Sequence, residues 1–504
     1  MKAHIDRRLV RRVARALAGL FLLGCTETVY KDFPGYQPPP TAAGQYMGYS
    51  NASGQLPLCG NCHVSHQALW ATAKHSRAWA DLQASGHAGP TCDACHSVNS
   101  LGNDSSATPR NGYVGSPQQR YQDVQCEACH GPGQNHVDNP ELAANVPVPS
   151  IYVAVGVNSS CSGCHTGSHN PFVDEWAQSP HGVMPNGSSP LNNSNSSCKN
   201  CHTGQLALLN NFFVTSIYKE RSNTPLTSYG PNNAMKIVCA VCHDPHGSPN
   251  KGQLRLPVDT IDVSTNLCAR CHNRRAVPDV TSSSGPHSAE GALVIGENGE
   301  VGWRPPLMLA APNGTTRIFG SHGDTTLNKG LCATCHVFQS VAFDTLTQQN
   351  VYSTGHLFLA IPCIGTNGLP DSVSTCGLNE TERSFTACAN SGCHASGTVA
   401  STLLSTEILT INLLLTQLQG LLNDTTKVKC SEFAVTSTLT TARGVRFNYL
   451  LASEPNPSGA TDVVCGSTRN IPPPVAKPSA SAHNVPLIEQ LLHYSILQMQ
   501  QDYP

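Results

Sequence analysis

The short pattern Cys-x-x-Cys-His constrains this chain more than any other feature. It occurs eight times, beginning at Cys59, Cys92, Cys126, Cys161, Cys198, Cys239, Cys268 and Cys332. With 23 cysteines and 22 histidines among 504 residues, chance would give far less than one copy. In this pattern two thiols bond covalently to one haem, and the adjacent histidine ligates the iron from one side. The sequence therefore predicts eight haem c groups.

These motifs are numbered here as sites 1 to 8 in chain order. The expected attachment cysteines are Cys59, Cys62, Cys92, Cys95, Cys126, Cys129, Cys161, Cys164, Cys198, Cys201, Cys239, Cys242, Cys268, Cys271, Cys332 and Cys335. The expected proximal ligands are His63, His96, His130, His165, His202, His243, His272 and His336. Each site thus contributes two thiols and one imidazole from five consecutive residues.

A stretched copy of the motif follows at Cys388, Cys393 and His394, with four residues between the thiols instead of two. Gly392 would allow the longer loop to bulge. We expect a ninth haem c at this position, site 9, with His394 as its proximal ligand. The alternative is a disulfide or a free thiol beside a surface histidine.

Twelve further histidines lie outside the motifs and outside residues 1–24, and they supply candidates for the second axial position of each iron. Neutral imidazole is a strong iron ligand. The preferred candidates are His75, His136, His181, His246, His287, His322, His356 and His483, with His169 as the ninth. His66, His87 and His493 are the remaining three. The sequence does not decide which histidine serves which iron.

Five of the motif intervals are similar, because the starts from Cys59 to Cys239 are 33, 34, 35, 37 and 41 residues apart. A Trp-Ala-x-x-x-His element follows two of the motifs, from Trp70 to His75 and from Trp176 to His181. This pattern predicts a partial internal repeat. If the element is helical, the indole packs against one haem while the imidazole reaches an iron; ordinary core packing of the tryptophan is the alternative.

Composition favours a chain with little regular structure. Only 12% of the residues are charged, and 42 glycines and 36 prolines favour turn-rich connections. The apolar core is thin for the length, so covalently tied haems are expected to supply much of it. We expect a multihaem c-type cytochrome fold: mostly irregular loops and short helices wrapped round a row of haems, little β-structure and a helical C-terminal tail.

The N-terminus is typical of an export signal. Six basic residues precede the apolar run that ends in Leu22-Leu23-Gly24-Cys25, which resembles a bacterial lipobox with Cys25 as the acylated residue. An ordinary signal peptide with a stray cysteine is the alternative. Without residues 1–24 the chain becomes distinctly acidic, which argues against a nucleic-acid partner. We expect an exported outer-membrane lipoprotein at the cell surface or on the periplasmic side of that membrane.

Four cysteines remain, and disulfides are compatible with an exported protein. The preferred pairs are Cys363 with Cys376 and Cys430 with Cys465, since each pair closes a local loop. A competing possibility is that Cys376 pairs with Cys393 and leaves Cys388 free.

The tail differs from the rest of the chain. Leu404, Ile408, Ile411, Leu415, Leu418 and Leu422 follow a helical spacing, and this helix is expected to be too polar to span a membrane. A last helix should begin near Asn484 to Pro486 and run towards Gln501. The predicted organisation is a signal peptide at 1–24, a lipid-anchored linker at 25–58, a nine-haem region at 59–395, and a haem-free helical cap at 396–504 that returns His483 to an iron. A separate docking module is the alternative reading of the tail.

Residues 25–395 resemble multihaem c-type cytochromes that bacteria place at the outer membrane or cell surface for extracellular electron transfer. The resemblance rests on Cys126-Glu127-Ala128-Cys129-His130-Gly131-Pro132-Gly133 with His136, the Trp-Ala elements, Asp244-Pro245-His246 and the lipobox. It implies closely packed bis-histidine haems that relay single electrons to redox proteins or an extracellular acceptor. The alternatives are a reductase of nitrogen or sulfur oxyanions with one open haem, and a subunit of a cytochrome filament or other homo-oligomer. No catalytic residue is assigned.

Overall fold

Before residue 397, the described residues form short helices joined by turns and irregular segments. The computed structural model describes residues 45–48, 59–98, 111–156, 161–167, 169–183, 196–212, 234–296, 301–372, 376–390, 392–454, 471 and 473–504. The expected signal, lipobox and Cys25 lie outside these residues. In the described part, no α-helix before Gly397 is longer than seven residues.

The α-helices up to residue 390 are α1 Val64–Trp70, α2 Ala78–Ala84, α3 Gly112–Gly115, α4 Cys126–His130, α5 Gln134–Asp138, α6 Phe172–Gln178, α7 Ser196–His202, α8 Gly204–Leu206, α9 Cys239–Cys242, α10 Glu290–Ile295, α11 Pro306–Leu309, α12 Cys332–His336 and α13 Thr386–Asn390. Short 3₁₀ turns lie at Cys59–Asn61, Lys74–Arg77, Gln119–Tyr121, Ala143–Asn145, Lys251–Gln253, Ser321–Gly323 and Cys430–Phe433, and a π-turn at Ala207–Asn211.

The β-structure of the described residues is confined to two small antiparallel pairs. Strands β1 Ser340–Asp344 and β2 Gln349–Ser353 form a hairpin, and β3 Cys363–Ile364 pairs with β4 Pro370–Asp371. The prediction of short helices, little β-structure and a helical tail is therefore confirmed.

The long helices of the described residues lie in the tail: α14 Gly397–Asn423, α15 Thr441–Ala452 and α17 Val485–Asp502. A short helix, α16 Ala480–His483, precedes α17. The predicted seam of α14 is buried at Leu404, Ile411, Leu415, Leu418 and Leu422. Helices α14, α15 and α17 pack on one another around the largest apolar core of the described residues. That core also contains Leu293, Val301, Met308 and Ile318, so the tail is packed against residues of the motif-bearing region.

Side-chain caps fix where the tail helices begin. The Ser396 hydroxyl accepts from the N–H of Val399 at 3.2 Å at the start of α14. The Asn484 side chain accepts from the N–H of Leu487 at 3.3 Å, and Pro486 occupies the first turn of α17. The predicted start of the last helix near Asn484 is confirmed.

Helix α14 is long and apolar enough to cross a membrane by length and composition, contrary to the prediction drawn from its polar residues. Its threonines explain part of the difference, because a threonine hydroxyl can bond to its own helix backbone. Thr406 donates to the carbonyl of Thr402 at 2.9 Å, and Thr416 donates to that of Asn412 at 2.7 Å. The buried leucine seam nevertheless packs against the protein's own helices.

The expected disulfide between Cys363 and Cys376 is present. Cys430 is also disulfide-bonded, and its expected partner Cys465 lies outside the described residues. The alternative pairing of Cys376 with Cys393 is wrong, since Cys376 is already bonded to Cys363.

Candidate haem sites

Each regular motif forms a tight turn that carries the imidazole back towards its first cysteine. At site 1 the N–H of His63 donates to the carbonyl of Cys59 at 2.9 Å, and at site 4 the N–H of His165 donates to that of Cys161 at 3.0 Å. The turn places two thiols and one imidazole on the same side of a short backbone segment, as one covalently attached haem requires.

The stretched motif keeps the same backbone connection. The N–H of His394 donates to the carbonyl of Cys388 at 3.4 Å, although two extra residues intervene. Gly392 has a φ of +77°, the left-handed conformation that glycine adopts without steric cost. Gly392 therefore has a conformation suited to the longer loop, and the backbone bond between the histidine and the first cysteine is kept.

Eight of the nine motif histidines face a second histidine across a nearly constant gap. The distance between ring centroids is 6.1 to 6.4 Å in every pair. The pairs are His63 with His136, His130 with His246, His165 with His75, His202 with His287, His243 with His356, His272 with His181, His336 with His483, and His394 with His322.

This gap fits one metal ion held by both rings. Imidazole nitrogens bind metals at about 2 Å, which separates two opposed nitrogens by about 4 Å and their ring centres by about 6 Å. Two rings in direct contact would instead bring the centres closer, as for His66 and His246, which meet edge to face at 4.5 Å. The residues present therefore fit an iron between the rings of each pair.

Backbone carbonyls orient several of these imidazoles through their other nitrogen. The Nδ1 atoms of His130, His243, His322 and His336 lie 2.7, 2.6, 2.6 and 2.9 Å from the carbonyls of Pro147, Gly252, Ala482 and Phe358. A proton on Nδ1 donates to the carbonyl and leaves the Nε2 lone pair free for a metal.

Burial keeps many of the rings in the neutral form that metal binding requires. Burial, reinforced by neighbouring histidines, lowers the pKa of His165 and of His181 to about 4. Burial, with His336 and His322 nearby, lowers the pKa of His483 to about 3. These rings are unprotonated near neutral pH.

Comparisons with known proteins agree with the Cys-x-x-Cys-His motifs. Residues 58–131 match a family described as cytochrome c554 and c-prime, and residues 230–277 match a family described as the doubled CXXCH motif. The multiheme cytochrome MtrA of Shewanella baltica (strain OS185) is 28% identical over 177 residues, which cover 33% of this chain and 47% of that protein. The chain thus spans about half the length of this relative.

These matches show that the chain is similar to multihaem c-type cytochromes. Among solved structures, the outer cell wall cytochrome OcwA is 17% identical, and the match covers 81% of this chain and 76% of that chain with a TM-score of 0.42. This is a weak overall likeness.

The two Trp-Ala-x-x-x-His elements have matching contacts but are not continuous helices. Helix α1 ends at Trp70 and α6 ends at Gln178, so each histidine lies beyond its helix. In the second copy Ser179 precedes Pro180, and the ring of a proline disfavours the helical conformation for the residue before it.

Both tryptophans hold the backbone just before another motif. Trp70 Nε1 donates to the carbonyl of Val124 at 2.9 Å, and Trp176 Nε1 donates to that of Ile237 at 2.8 Å. Val124 lies two residues before site 3 and Ile237 two residues before site 6. The indole polar group therefore has a structural partner, and sites 1 and 4 are related to sites 3 and 6 in the same way.

Thiols of different motifs also lie in contact, and the contacts follow the same repeat. Sites 1 and 3 are in contact, and so are sites 4 and 6, which lie three motifs further along the chain. Sites 2 and 4 are likewise in contact, and so are sites 5 and 7. The contacting pairs are Cys59 with Cys126, Cys161 with Cys239, Cys95 with Cys164, Cys201 with Cys271, and Cys268 with Cys332. Burial, with Cys388 and Cys393 nearby, raises the pKa of Cys335 to about 12 and places site 8 beside site 9.

Two buried carboxylates that sequence reasoning did not single out support the sites. Glu175 accepts from the N–H of Thr354 at 2.8 Å, from its hydroxyl at 2.6 Å and from the N–H of His356 at 2.8 Å. Glu127 accepts from the N–H groups of Met47, Gly48 and Gly133, although burial raises its pKa. The sequence could have pointed to Glu127, because this residue lies within the motif of site 3. It could not have pointed to Glu175, because the hydrogen-bond partners of Glu175 lie far away in the sequence.

The remaining candidates are placed differently. His169, predicted as a ninth distal ligand, is exposed, and no described ring lies at the paired distance from it. His87 and His493 are also exposed. The ring centre of His66 lies 6.2 Å from that of His63, so His66 is a second histidine at the paired distance from site 1, but its ring also meets that of His246 edge to face at 4.5 Å. His96 of site 2 is the one motif histidine without a facing histidine in the described residues.

Proposed function

We propose that this chain is a nine-haem electron-transfer protein in which eight irons are held by two histidines each. The eight facing histidine pairs carry this proposal. Each motif of sites 1 to 9 supplies the two thiols and the proximal histidine named above. The second ligands are His136, His246, His75, His287, His356, His181, His483 and His322 for sites 1, 3, 4, 5, 6, 7, 8 and 9 respectively.

Bound haem c supplies a one-electron iron couple at each of these sites. The protein's contribution is to fill both axial positions with neutral imidazoles and to hold them in place. Carbonyls fix the rings of His130, His243, His322 and His336, so the ligands need to move little when the charge on the iron changes. Two imidazoles also exclude small molecules from the iron, which favours electron transfer over catalysis.

The contacts between attachment sites support a continuous conduit. Thiol contacts connect site 2 to 4 and 4 to 6, and connect site 7 to both 5 and 8. Cys242 of site 6 lies within electrostatic range of Cys268 and Cys271 of site 7, and site 8 adjoins site 9. Sites 1 and 3 join this row because His246, which faces His130, follows site 6 by three residues.

We further propose that the cytochrome is exported and anchored at the outer membrane by lipid on Cys25, and that it exchanges electrons with other redox proteins or an extracellular acceptor. The basic and apolar N-terminus ending in Leu-Leu-Gly-Cys supports this location. The tail at 396–504 then acts as a cap that supplies His483 to site 8.

A spectroelectrochemical titration of the purified holoprotein tests this function. We expect overlapping one-electron steps, mostly at low potential, because imidazole pairs lack the thioether ligand that raises potential. Haem and iron counts should give nine per chain. A titration dominated by a single high-potential step, or a haem count well below nine, would contradict the proposal.

A further inference from the structure

Site 2 is built like its neighbours on the proximal side. The Nδ1 atom of His96 lies 2.9 Å from the carbonyl of Ala78, at the start of α2. His130, His243 and His336 have the same contact, and each of them faces a second histidine. His96 is therefore oriented to present Nε2 to an iron, and site 2 differs from these sites on the opposite side alone.

Among the described residues, no histidine is left to serve as the second ligand of site 2. Every histidine from His63 onwards lies in the described residues, and eight pairs account for sixteen of them. Of those that remain beside His96, His66 lies against His63 and His246, while His87, His169 and His493 are exposed. None of these rings lies at the paired distance from His96.

The internal repeat leads to the same position. A thiol of site 5 contacts a thiol of site 7, and in the same way a thiol of site 2 contacts a thiol of site 4. Site 5 is therefore the equivalent of site 2 in the repeat. Site 5 faces His287, which follows site 7 in the chain. The corresponding histidines after site 4 are His169, which is exposed, and His181, which faces His272.

We infer that the haem of site 2 has an open sixth position that binds a small neutral ligand when the iron is reduced. This inference rests on the proposed function, because the other eight sites must be closed by histidine. A reduced haem iron without a second protein ligand takes small neutral ligands. Val98, two residues after His96, packs with Tyr46, Tyr113 and Tyr121; the guanidinium of Arg120 lies over the Tyr121 ring, and Arg77 is exposed and paired with Asp81. Site 2 also adjoins site 4 through Cys95 and Cys164, so electrons can reach it.

Carbon monoxide titration of the fully reduced holoprotein tests the inference. The wild type should bind one molecule per chain, seen as a Soret difference spectrum that is reversed by photolysis. Cys92→Ala/Cys95→Ala should lose one haem and all carbon monoxide binding. Cys198→Ala/Cys201→Ala is the matched control: it removes the corresponding haem of site 5 and should still bind one molecule per chain. His87→Ala and His169→Ala should bind as the wild type does.

A wild type that binds no carbon monoxide overturns the inference, and so does full binding by a correctly folded Cys92→Ala/Cys95→Ala variant. If that variant does not fold, His96→Met provides the second test, because it retains the thiols. It should shift the iron–carbon stretching frequency of the bound complex, and an unchanged frequency overturns the assignment to site 2. A methionine-to-iron band in the wild type would identify a methionine such as Met47 as the sixth ligand and also overturn it. If this inference fails, the number of haems with two histidine ligands can still be measured by spectroscopy. The proposed function is therefore tested independently of site 2.

Discussion

At the scale of single residues, the sites depend on histidines brought together from distant parts of the chain. His336 belongs to a motif, whereas His483 comes from the short helix α16 near the C-terminus, and their ring centres lie 6.1 Å apart. Nδ1 of His322 donates to the carbonyl of the neighbouring residue Ala482 at 2.6 Å. One short helix thus supports site 8 directly and site 9 through a backbone contact.

His483→Ala should convert one haem per chain from low spin to high spin, because site 8 loses its second imidazole. Electron paramagnetic resonance of the oxidised holoprotein measures this change. His493→Ala is the matched control, since His493 is exposed on the adjacent helix α17 and should leave the spectrum unchanged. Identical spectra for wild type and His483→Ala would contradict the assignment.

Glu175→Gln should loosen site 6 without removing a ligand. An amide offers one acceptor oxygen in place of two, so at least one buried donor of Thr354 or His356 loses its partner, at a cost of about 1–3 kcal/mol. We expect a lower free energy of unfolding in guanidinium chloride and a partial high-spin signal. Asp81→Asn, at an exposed ion pair, should change neither quantity measurably. If both variants behave alike, Glu175 has no positioning role.

At the scale of elements, the start of α17 connects the tail to the haem sites. The side chain of Asn484 is fully buried and donates to the carbonyls of Leu293 and Ile318 at 2.9 and 2.8 Å. Its oxygen caps α17 directly after His483. The position of His483 therefore depends on contacts between the tail and residues 293–318.

Asn484→Ala should lower the free energy of unfolding by about 1–3 kcal/mol, because it removes a cap and leaves two buried carbonyls without this donor. It should also produce high-spin signal from site 8. Thr440→Ala is a suitable comparison: it removes the cap of α15, which accepts from the N–H of Arg443 at 3.3 Å, but lies away from the paired histidines. A destabilised Asn484→Ala variant with fully low-spin haem would show that the cap and the ligand are independent.

The disulfide between Cys363 and Cys376 should stabilise the fold without affecting haem attachment. Replacing both residues by alanine should lower the free energy of unfolding by about 3 kcal/mol, the scale expected for a short closed loop. Pyridine haemochrome assay of the variant should still give the wild-type haem content, since neither cysteine belongs to a motif. Loss of a haem would contradict the division of cysteines between disulfides and attachment.

At the scale of the whole molecule, the buried neutral histidines link stability to pH. The pKa of His165, His181 and His483 is lowered from 6.5 to about 4, 4 and 3 by burial. The unfolded chain therefore takes up protons first, and the free energy of unfolding should be insensitive to these groups above pH 6.5 and fall as the pH drops towards 4 and 3. Glu127, whose pKa is raised by burial, acts in the opposite sense.

Guanidinium chloride unfolding between pH 7.5 and 4 measures this dependence, and iron binding should strengthen it because the metal and the proton compete for the same nitrogen. A free energy of unfolding that rises steadily on acidification through this window would contradict the account.

The attachment motifs and the class of fold could be predicted from the sequence, because covalent haem attachment is specified by five consecutive residues. Short-range features such as the Asn484 cap, the seam of α14 and the bulge at Gly392 were predictable for the same reason. Three features could not be predicted: the pairing of His75 with His165, the contact of Glu175 with Thr354, and the lack of a facing histidine at His96. Each depends on how loops far apart in the sequence pack together, which no local sequence pattern specifies.

Near-infrared magnetic circular dichroism of the oxidised holoprotein, combined with a haem count, shows how many irons are held by two histidines. We expect nine haems per chain, eight of them low-spin with the charge-transfer band of two imidazole ligands. Fewer than eight such haems, or a substantial methionine-to-iron band in their place, would contradict this expectation.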